Sequence, residues 1–312
     1  MAIKTVFFGS PEFALPSLAA LADDPAFEVL AVLTNPDRPA GRGMDLRPTP
    51  VKAYAVERGI PVYETTDLSE ESCVEVYPVL RQADVNVVVA TSHFVPKWLR
   101  ELPPFGSVNL HPSLLPRWRG AAPIQHAVMA GDRVTGVAII RIVKEVDAGP
   151  VLAQTEEPIG DDDTYGSLAE RLSTMGAALL VETIKGLEKG TVAPREQVGE
   201  VTYAPKLTAD DRRVDWARPA EELERQVRGL YPKPGAFFEF GDTKIQVLKA
   251  VVDGDVFTSE PGRVAGITDA EVIVECGVGH LTLVTVKPAG KGEMSAGAFA
   301  RGRHVEVGSR FK

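Results

Sequence analysis

Short apolar runs alternate with helix-like stretches over residues 5–192 of this 312-residue chain, and this alternation limits the possible fold more than any other feature. Six runs rich in β-branched residues predict strands: TVFF, EVLAVLT, VNVVVA, SVNLH, GVAIIRIV and PVLAQ. The spacing of apolar residues predicts helices at residues 15–22, 51–58 and 165–187. Strands that alternate with helices usually form a largely parallel sheet. The sequence therefore predicts an α/β fold.

The remainder of the chain follows a different pattern. One helix is expected at residues 219–230, and short strands punctuated by glycine follow it: AFFEF, TKIQVLKAVV, GRVAGI, EVIVEC and HLTLVTV. Short strands at close spacing suggest a small barrel, although the sequence alone allows a sandwich equally. We therefore divide the chain into a sheet domain at residues 1–190, a Pro-, Gly- and polar-rich linker at 191–208, and a β domain at 209–312.

The run SVNLHPSLLPRWRGAAPIQ, residues 107–125, places two polar side chains at the end of a strand. Successive side chains of a strand point to opposite faces, so Asn109 and His111 share one face. Pro112 ends the strand, and the carboxyl ends of strands are where open α/β sheets bind ligands. Asp147 follows the next apolar run, on a turn before Gly149. A strand end and two loops could therefore bring an amide, an imidazole and a carboxylate together.

These three groups are chemically complementary. Imidazole accepts a proton near neutral pH, an amide N–H stabilises a developing oxyanion, and a carboxylate orients the imidazole and stabilises its charged form. Each residue alone is more often a turn former or a local hydrogen-bonding group, so the prediction depends on the combination. Together they indicate acyl or formyl transfer without a covalent enzyme nucleophile.

Other kinds of site have little support in the sequence. The turn FFGSPEFA follows a strand and opens a helix, but Gly9 belongs to no G-x-G-x-x-G pattern, and G-x-x-x-x-G-K-[ST] does not occur. Neither an NAD nor an ATP site is expected. Cys73 and Cys276 are far apart, and the five His residues are scattered. Neither a disulfide framework nor a metal site is expected from this pattern.

Composition agrees with a cytoplasmic enzyme, although it could not identify one. The chain is 44% hydrophobic, yet it has no uncharged apolar stretch of about 18 residues, so no membrane span is expected. The first residues resemble neither a signal peptide nor a transit segment. The net charge is −9; residues 209–312 carry 15 basic and 16 acidic residues, which leaves 19 and 27 in residues 1–208. These totals argue against binding of nucleic acid by bulk charge, although a local basic patch would suffice.

The motifs closely resemble those of folate-dependent formyltransferases. NLHPSLLPRWRGAAPIQ and the later VDAG match the family signature, and the NPDRPAGRG loop at residues 35–43 resembles the branch that acts on initiator methionyl-tRNA. The resemblance extends from VFFGSPEFA through VTYAPKL and RVDW to PAGKGEMSA, which is essentially the whole chain. It implies a Rossmann-like catalytic domain followed by an OB-like barrel domain that binds tRNA.

The resemblance also implies an activity. The formyl group of 10-formyltetrahydrofolate, a co-substrate, passes to the α-amino group of methionyl-tRNA(fMet), which produces the formylated initiator for translation. A metal is not part of this chemistry. A cytoplasmic monomer without an obligate protein partner or membrane association is expected.

Three groups of residues acquire roles from the resemblance. Asn109, His111 and Asp147 are the expected catalytic set. The expected folate-binding residues are Phe13, Val88, Ala90, Thr91, Val95, Pro96, Ser113, Leu114, Leu115, Pro116 and Gln125. The expected tRNA-binding residues are Arg38, Arg42 and Arg47, with Arg42 as the chief contact to the acceptor end, because guanidinium groups suit phosphate and base contacts. Without the family resemblance, this Pro- and Gly-rich segment would be interpreted as a flexible, solvent-exposed loop.

The chain departs from its relatives at two places. Met44 and Asp45 stand where relatives have lysines, so this loop should bind tRNA less electrostatically. Thr91, Ser92 and His93 replace an aromatic-Gly pair in the folate loop. Backbone groups are expected to hold the pterin there, so binding should survive. Arg117 and Arg119, around Trp118, either face tRNA or support the wall of the active site.

Two alternative functions remain open. One is a formyltransferase for a small amine such as a sugar nucleotide or glycinamide ribonucleotide, and the PDRPAGRG loop and the appended barrel weigh against it. The other is a non-catalytic RNA-binding protein, and the intact Asn109, His111 and Asp147 weigh against that.

Overall fold

The computed structural model describes residues 1–40, 45–91, 93–257 and 260–312, which form two compact units. The first unit consists of residues 1–120, 134–158 and 169–204. The second consists of residues 121–133, 159–168 and 205–312. Two short segments from the predicted sheet domain thus group with the carboxyl-terminal residues. The three-part division at residues 190 and 208 stays a prediction.

Helices and strands of the first two thirds of the chain follow the predicted alternation. The strands of the first unit are β1 (Ile3–Phe8), β2 (Phe27–Thr34), β3 (Arg38–Ala40), β4 (Asp45–Arg47), β5 (Val62–Glu64), β6 (Val85–Val89), β7 (Ser107–His111), β8 (Arg119–Gly120), β9 (Val134–Arg141), β10 (Val151–Pro158) and β11 (Tyr203–Ala204). The helices of the whole described chain are α1 (Leu15–Asp23), α2 (Pro50–Glu57), α3 (Tyr77–Leu80), α4 (Lys97–Arg100), α5 (Pro123–Ala130), α6 (Tyr165–Glu188), α7 (Ala220–Leu230) and α8 (Ala296–Arg303). Short 3₁₀ turns lie at Glu12–Ala14 and Asp210–Arg212.

A central sheet organises the first unit. Its order is β10-β9-β7-β6-β1-β2-β5, with five parallel strands from β7 to β5 and antiparallel pairing of β9 and β10 at the other edge. All five residues of β6 are buried, as expected for a strand covered on both faces. Val108 and Leu110 belong to the same core cluster as Leu180 and Ile184 of α6. The predicted α/β class is confirmed.

The second unit is built on an antiparallel sheet. Its strands are β12 (Ala236–Phe240), β13 (Thr243–Phe257), β14 (Val264–Ile267), β15 (Val272–Glu275), β16 (Val278–Pro288) and β17 (Met294–Ser295). The order is β12-β13-β16-β15-β14, with β17 also on β16, and β13 contains several irregularities in register. Trp216, Phe238, Phe299 and Phe311 form an aromatic core, in which the Phe238 and Phe311 rings stack with centroids 4.4 Å apart. The predicted β domain after the α/β domain is confirmed.

Several features differ from the sequence-based expectations, among them α5, α8 and the linker. The helix α5 was not predicted, although Pro123 suits a first helical position and Gly131, at φ +77°, ends the helix. The helix α8 was also not predicted, although the Ser295 side chain accepts a hydrogen bond from Ala298 N at its start. The predicted linker is not wholly irregular, because β11 pairs with β8.

No helix in the described part of the chain combines the length and the apolar character that crossing a membrane requires.

Candidate functional site

The structure brings Asn109, His111 and Asp147 together. His111 ends β7, Asn109 precedes it on the same strand, and Asp147 lies between β9 and β10. Asp147 Oδ2 is 3.5 Å from His111 Nδ1, and Asp147 Oδ1 is 3.4 Å from Asn109 Nδ2. The carboxylate therefore lies between the amide and the imidazole. This is the proximity that the sequence analysis expected.

Each ring nitrogen of His111 faces an oxygen atom. Its side chain is buried, and Nε2 lies 2.9 Å from the carbonyl oxygen of Trp118. A carbonyl only accepts, so the hydrogen on Nε2 donates to it. Nδ1 then faces Asp147. Because the Nδ1–Asp147 distance exceeds that of an ordinary hydrogen bond, Nδ1 is the nitrogen more open to exchange of its partner.

Asp147 occupies a constrained turn. Its φ is +50°, in the left-handed region that non-glycine residues rarely adopt, and the Gly120 N–H donates to Oδ2 at 2.8 Å. Trp118, whose carbonyl binds His111, also has a left-handed φ, of +63°. A Cβ at Gly149 would lie 1.7 Å from the carbonyl oxygen of Arg141, so only glycine fits there. Close contacts therefore restrict the backbone conformation at residues 147–149 and 118–120.

Sequence reasoning missed the part that residues 195–204 play at this site. The Arg119 guanidinium donates to Gln197 Oε1 through Nε at 3.1 Å and Nη2 at 2.6 Å. Arg119 is therefore tied to Gln197, and its two expected roles, contact with tRNA and support of the active-site wall, both stay predictions. The Arg117 guanidinium lies over the Trp118 ring, 4.4 Å from its centroid. No local sequence signal distinguishes Gln197 from any other polar residue of a linker.

The folate candidates around β6 divide into core side chains and accessible backbone. Val88 pairs in register with Asn109, but the Val88 and Val95 side chains pack in a core cluster. Ala90 is exposed with φ +50°, directly after β6, and Thr91 Oγ1 accepts a hydrogen bond from His93 N at 3.3 Å. Any ligand at this strand end would therefore meet backbone groups rather than the two valine side chains. Pro96 precedes α4, and Ser92 lies outside the described residues.

The remaining folate candidates lie in the loop after β7, in the 3₁₀ turn after β1 and in α5. Ser113 Oγ donates to the carbonyl of Arg117 at 2.6 Å, so the SLLP segment is closed by its own hydrogen bond. Leu115 packs with Ala138, Ile140 and Val151, and Leu114 packs on Gly136. Pro116 is buried, and Phe13 packs against the main core from the 3₁₀ turn after β1. Gln125 lies in α5, which belongs to the second unit.

The described residues of the arginine-bearing segment, 38–40 and 45–47, form the antiparallel pair of β3 and β4, which is called the hairpin below. Arg38 of β3 and Arg47 of β4 are paired in register, and both side chains are exposed. Arg42 and Met44 lie outside the described residues, as does the rest of residues 41–44. At the base of the hairpin, Lys52 Nζ contacts Asp37 Oδ1 at 2.8 Å and Glu64 Oε1 at 2.9 Å. These hydrogen bonds raise the pKa of Lys52.

Burial shifts the pKa of several other groups, among them His93 and Cys276. Burial lowers the pKa of His93, against an opposing effect of the Asp67 carboxylate. Burial also raises the pKa of Cys276 to about 12, so its thiol is neutral. Within the described ranges, no three His, Cys, Asp or Glu side chains are grouped to hold a metal ion.

The sequence of this chain was compared with those of known protein families and curated proteins. The sequence profile described as "Formyl transferase" matches residues 3–184, and that described as "Formyl transferase, C-terminal domain" matches residues 206–304. The methionyl-tRNA formyltransferase of Methylobacterium nodulans is 45% identical over an alignment of 317 positions, which covers 100% of both chains. That of Symbiobacterium thermophilum is 43% identical, over 99% of this chain and 95% of the relative.

Solved structures share the fold at lower identity. The N-formyltransferase of Helicobacter canadensis, in complex with folinic acid and dTDP-3-aminofucose, superposes with a TM-score of 0.66 and 18% identity over 90% of this chain and 98% of that one. HypX of Aquifex aeolicus, in complex with tetrahydrofolic acid, has a TM-score of 0.63 and 18% identity. That alignment covers 98% of this chain and 48% of HypX.

Proposed function

This chain belongs to the formyl transferase family, and from that membership we propose that it transfers the formyl group of 10-formyltetrahydrofolate to the α-amino group of methionyl-tRNA(fMet). The observation that carries the proposal is the 45% identity along the full length of a methionyl-tRNA formyltransferase. The convergence of Asn109, His111 and Asp147 supports it with suitable chemistry. The product is the formylated initiator tRNA of translation.

The reaction requires a base and a group that donates a hydrogen bond to the oxyanion of the intermediate. The amine nitrogen attacks the formyl carbon, the tetrahedral intermediate releases tetrahydrofolate, and one proton leaves the amine while another reaches N10 of the leaving group. Asn109 carries two amide hydrogens, of which one faces Asp147 at 3.4 Å. We assign the other to the oxyanion, a role that contributes about 2.7–4 kcal/mol in comparable sites.

His111 and Asp147 handle the proton in this proposal. Because Nε2 is engaged with the Trp118 carbonyl, the proton reaches His111 at Nδ1, directly or through water. The Asp147 carboxylate stabilises the resulting imidazolium and orients the ring. Nε2 keeps its 2.9 Å contact with the Trp118 carbonyl during this transfer.

The substrates are assigned to different parts of the chain. The folate co-substrate binds at the carboxyl ends of β6 and β7, with backbone groups of Ala90 and Thr91 as its nearest donors and acceptors. The tRNA acceptor end meets Arg38 and Arg47 of the hairpin, together with Arg42. Residues 1–190 are the proposed catalytic domain and 209–312 the proposed tRNA-binding domain, joined by 191–208. We propose that the protein is a monomer and that it works in the cytoplasm.

Transfer of labelled formyl from 10-formyltetrahydrofolate tests the proposal. The acceptors are methionine-charged initiator tRNA, methionine-charged elongator tRNA and a set of amino-sugar nucleotides. Selective labelling of the initiator is the expected result. Labelling of an amino-sugar nucleotide alone would retain the catalytic trio but remove tRNA as the substrate, and no labelling of any acceptor would overturn the proposal.

A further inference from the structure

Two left-handed non-glycine residues contact the His111 ring, and both are held by the segment at residues 195–204. Asp147 has φ +50° and Trp118 has φ +63°. Backbone in this region is disfavoured for residues with a Cβ, and it persists only where the surrounding contacts over-determine it. The contacts that do so at this site come from a segment which the sequence marks only as a linker.

Gln197 holds the Asp147 side. Its Nε2 donates to the carbonyl oxygen of Asp147 at 2.7 Å and to that of Gly149 at 2.8 Å. Its Oε1 accepts both hydrogen bonds from the Arg119 guanidinium. A glutamine amide has two N–H donors and one carbonyl acceptor, so this side chain is saturated. It fixes the peptide group that follows Asp147 and the one that follows Gly149, and therefore the direction of the Asp147 side chain.

Thr202 holds the Trp118 side. Its Oγ1 accepts from Trp118 N at 2.9 Å, and its carbonyl accepts from Arg119 N at 2.9 Å. The pairing of β11 with β8 continues this contact to Gly120, whose N–H donates to Asp147 Oδ2. The segment thus supports both partners of the imidazole, the Trp118 carbonyl at Nε2 and the Asp147 carboxylate at Nδ1.

We infer that Gln197 is a positioning residue for formyl transfer, which holds the Asp147 carboxylate at His111; this inference rests on the proposed function. Gln197 does not contact the reacting atoms, because its polar groups are all used by Asp147, Gly149 and Arg119. Its contribution is to geometry. Displacement of a catalytic group by about 1 Å can lower the rate about 10²-fold. Loss of Gln197 should therefore lower kcat and leave substrate binding nearly unchanged.

The first variant is Gln197→Glu, which keeps the shape of the side chain. The carboxylate can still accept from Arg119 but cannot donate to the carbonyls of Asp147 and Gly149. We expect kcat to fall about tenfold or more, with KM for 10-formyltetrahydrofolate and for charged initiator tRNA within about twofold of the unmodified protein. Gln82→Glu, the same chemical change at an exposed position after α3, is the matched control and should change neither.

Gln197→Met is the second variant, in case the glutamate prevents folding. It removes the two donors without adding a charge, and it should reproduce the loss of kcat. Each rate is normalised to the amount of folded protein, measured by far-UV circular dichroism and by the stoichiometry of folinic acid binding. A role confined to stability would lower the amount of folded protein but not the kcat per folded molecule.

A double-variant cycle separates this role from direct tRNA contact by Arg119. If Arg119 acts through Gln197, Arg119→Ala lowers kcat alone but adds little in the Gln197→Met background. A rise in KM for tRNA that is independent of residue 197 would contradict this arrangement.

Unchanged kcat in both residue-197 variants, with an active unmodified protein, would overturn the inference and leave the proposed function intact. Failure of the unmodified protein to formylate initiator tRNA would instead count against the proposed function. In that case, the same variants are compared on whichever amine acceptor is labelled. If no acceptor is labelled, the positioning role in formyl transfer is refuted together with the function.

Discussion

Single residues determine whether the site can move a proton. His111 has one nitrogen against the Trp118 carbonyl and the other against Asp147, so its function depends on both neighbours. Asp147 in turn depends on Gly120 N and on a left-handed backbone. Substitutions at these positions test the chemistry more directly than substitutions in the core.

His111→Ala and Asp147→Asn should each lower turnover by at least about tenfold while the protein stays folded, because general-base catalysis contributes about 10²–10⁴-fold. Asparagine tolerates left-handed φ, so Asp147→Asn keeps the backbone and removes the charge. The measurement is steady-state formyl transfer together with thermal unfolding. Asp162→Asn, at an exposed residue of the second unit, is the matched control. Near-normal rates would remove these assignments.

The lowered pKa of His93, which follows the folate candidate Thr91 by two residues, leads us to expect a pH dependence of the free energy of unfolding. Burial lowers the pKa of His93 in the folded protein, whereas the unfolded chain titrates near 6.5. Between these two pKa values the unfolded state binds more protons, so the contribution of His93 is complete above pH 6.5 and is lost as the pH falls through the folded-state pKa. The urea midpoint should therefore drop between pH 7.5 and 5.5 by more in the unmodified protein than in His93→Gln. Equal drops would contradict the assignment.

At the scale of elements, the hairpin of β3 and β4 is tied to the sheet domain by an ion-pair network. Lys52 of α2 contacts Asp37, just before β3, and Glu64, at the end of β5. Asp37 N also donates to Glu64 Oε1 at 3.0 Å. Three elements therefore meet at the base of the segment that is proposed to receive tRNA.

Lys52→Met should weaken tRNA binding without affecting the folate site. Partly exposed ion pairs contribute about 0.2–1 kcal/mol each, so we expect KM for charged tRNA to rise about threefold. KM for 10-formyltetrahydrofolate should stay within about twofold, since Lys52 contacts none of the candidate folate residues in the structure described. Lys189→Met, at an exposed lysine after α6, is the control. An equal effect of both variants would attribute the change to net charge rather than to the hairpin.

At the scale of the whole molecule, each compact unit contains one buried free cysteine. Cys73 lies in a core cluster of the first unit and Cys276 in the core of the second. Burial raises the pKa of both thiols, to about 12 for Cys276. Because the thiolate is the reactive form, neither residue should be labelled in the folded protein.

Thiol labelling should therefore report the unfolding of the two units separately. In a urea series, a thiol reagent followed by peptide mapping is expected to modify Cys73 when the first unit opens and Cys276 when the second unit opens. Cys73→Ala and Cys276→Ala confirm which signal belongs to which unit. Modification of either thiol without urea would contradict the burial on which this prediction depends.

The sequence by itself determined the local structure and the chemical inventory. Alternating apolar runs predicted the sheet domain, because hydrophobic periodicity is a property of neighbouring residues. The same local logic placed Asn109 and His111 on one face of β7. Signals for α5 and α8 were present as Pro123, Gly131 and Ser295, but they are short and resemble the signals of turns.

Only the tertiary structure decided which distant residues meet. Asn109 and Asp147 are 38 positions apart, and Gln197 is 50 positions from Asp147, so their contacts depend on the path of the chain rather than on any local pattern. The same is true of Val88 and Val95, whose side chains pack in a core cluster; their role in folate binding came from the family resemblance and stays a prediction. A linker composition describes local flexibility, and it carries no information about the Gln197 hydrogen bonds that join this segment to the site.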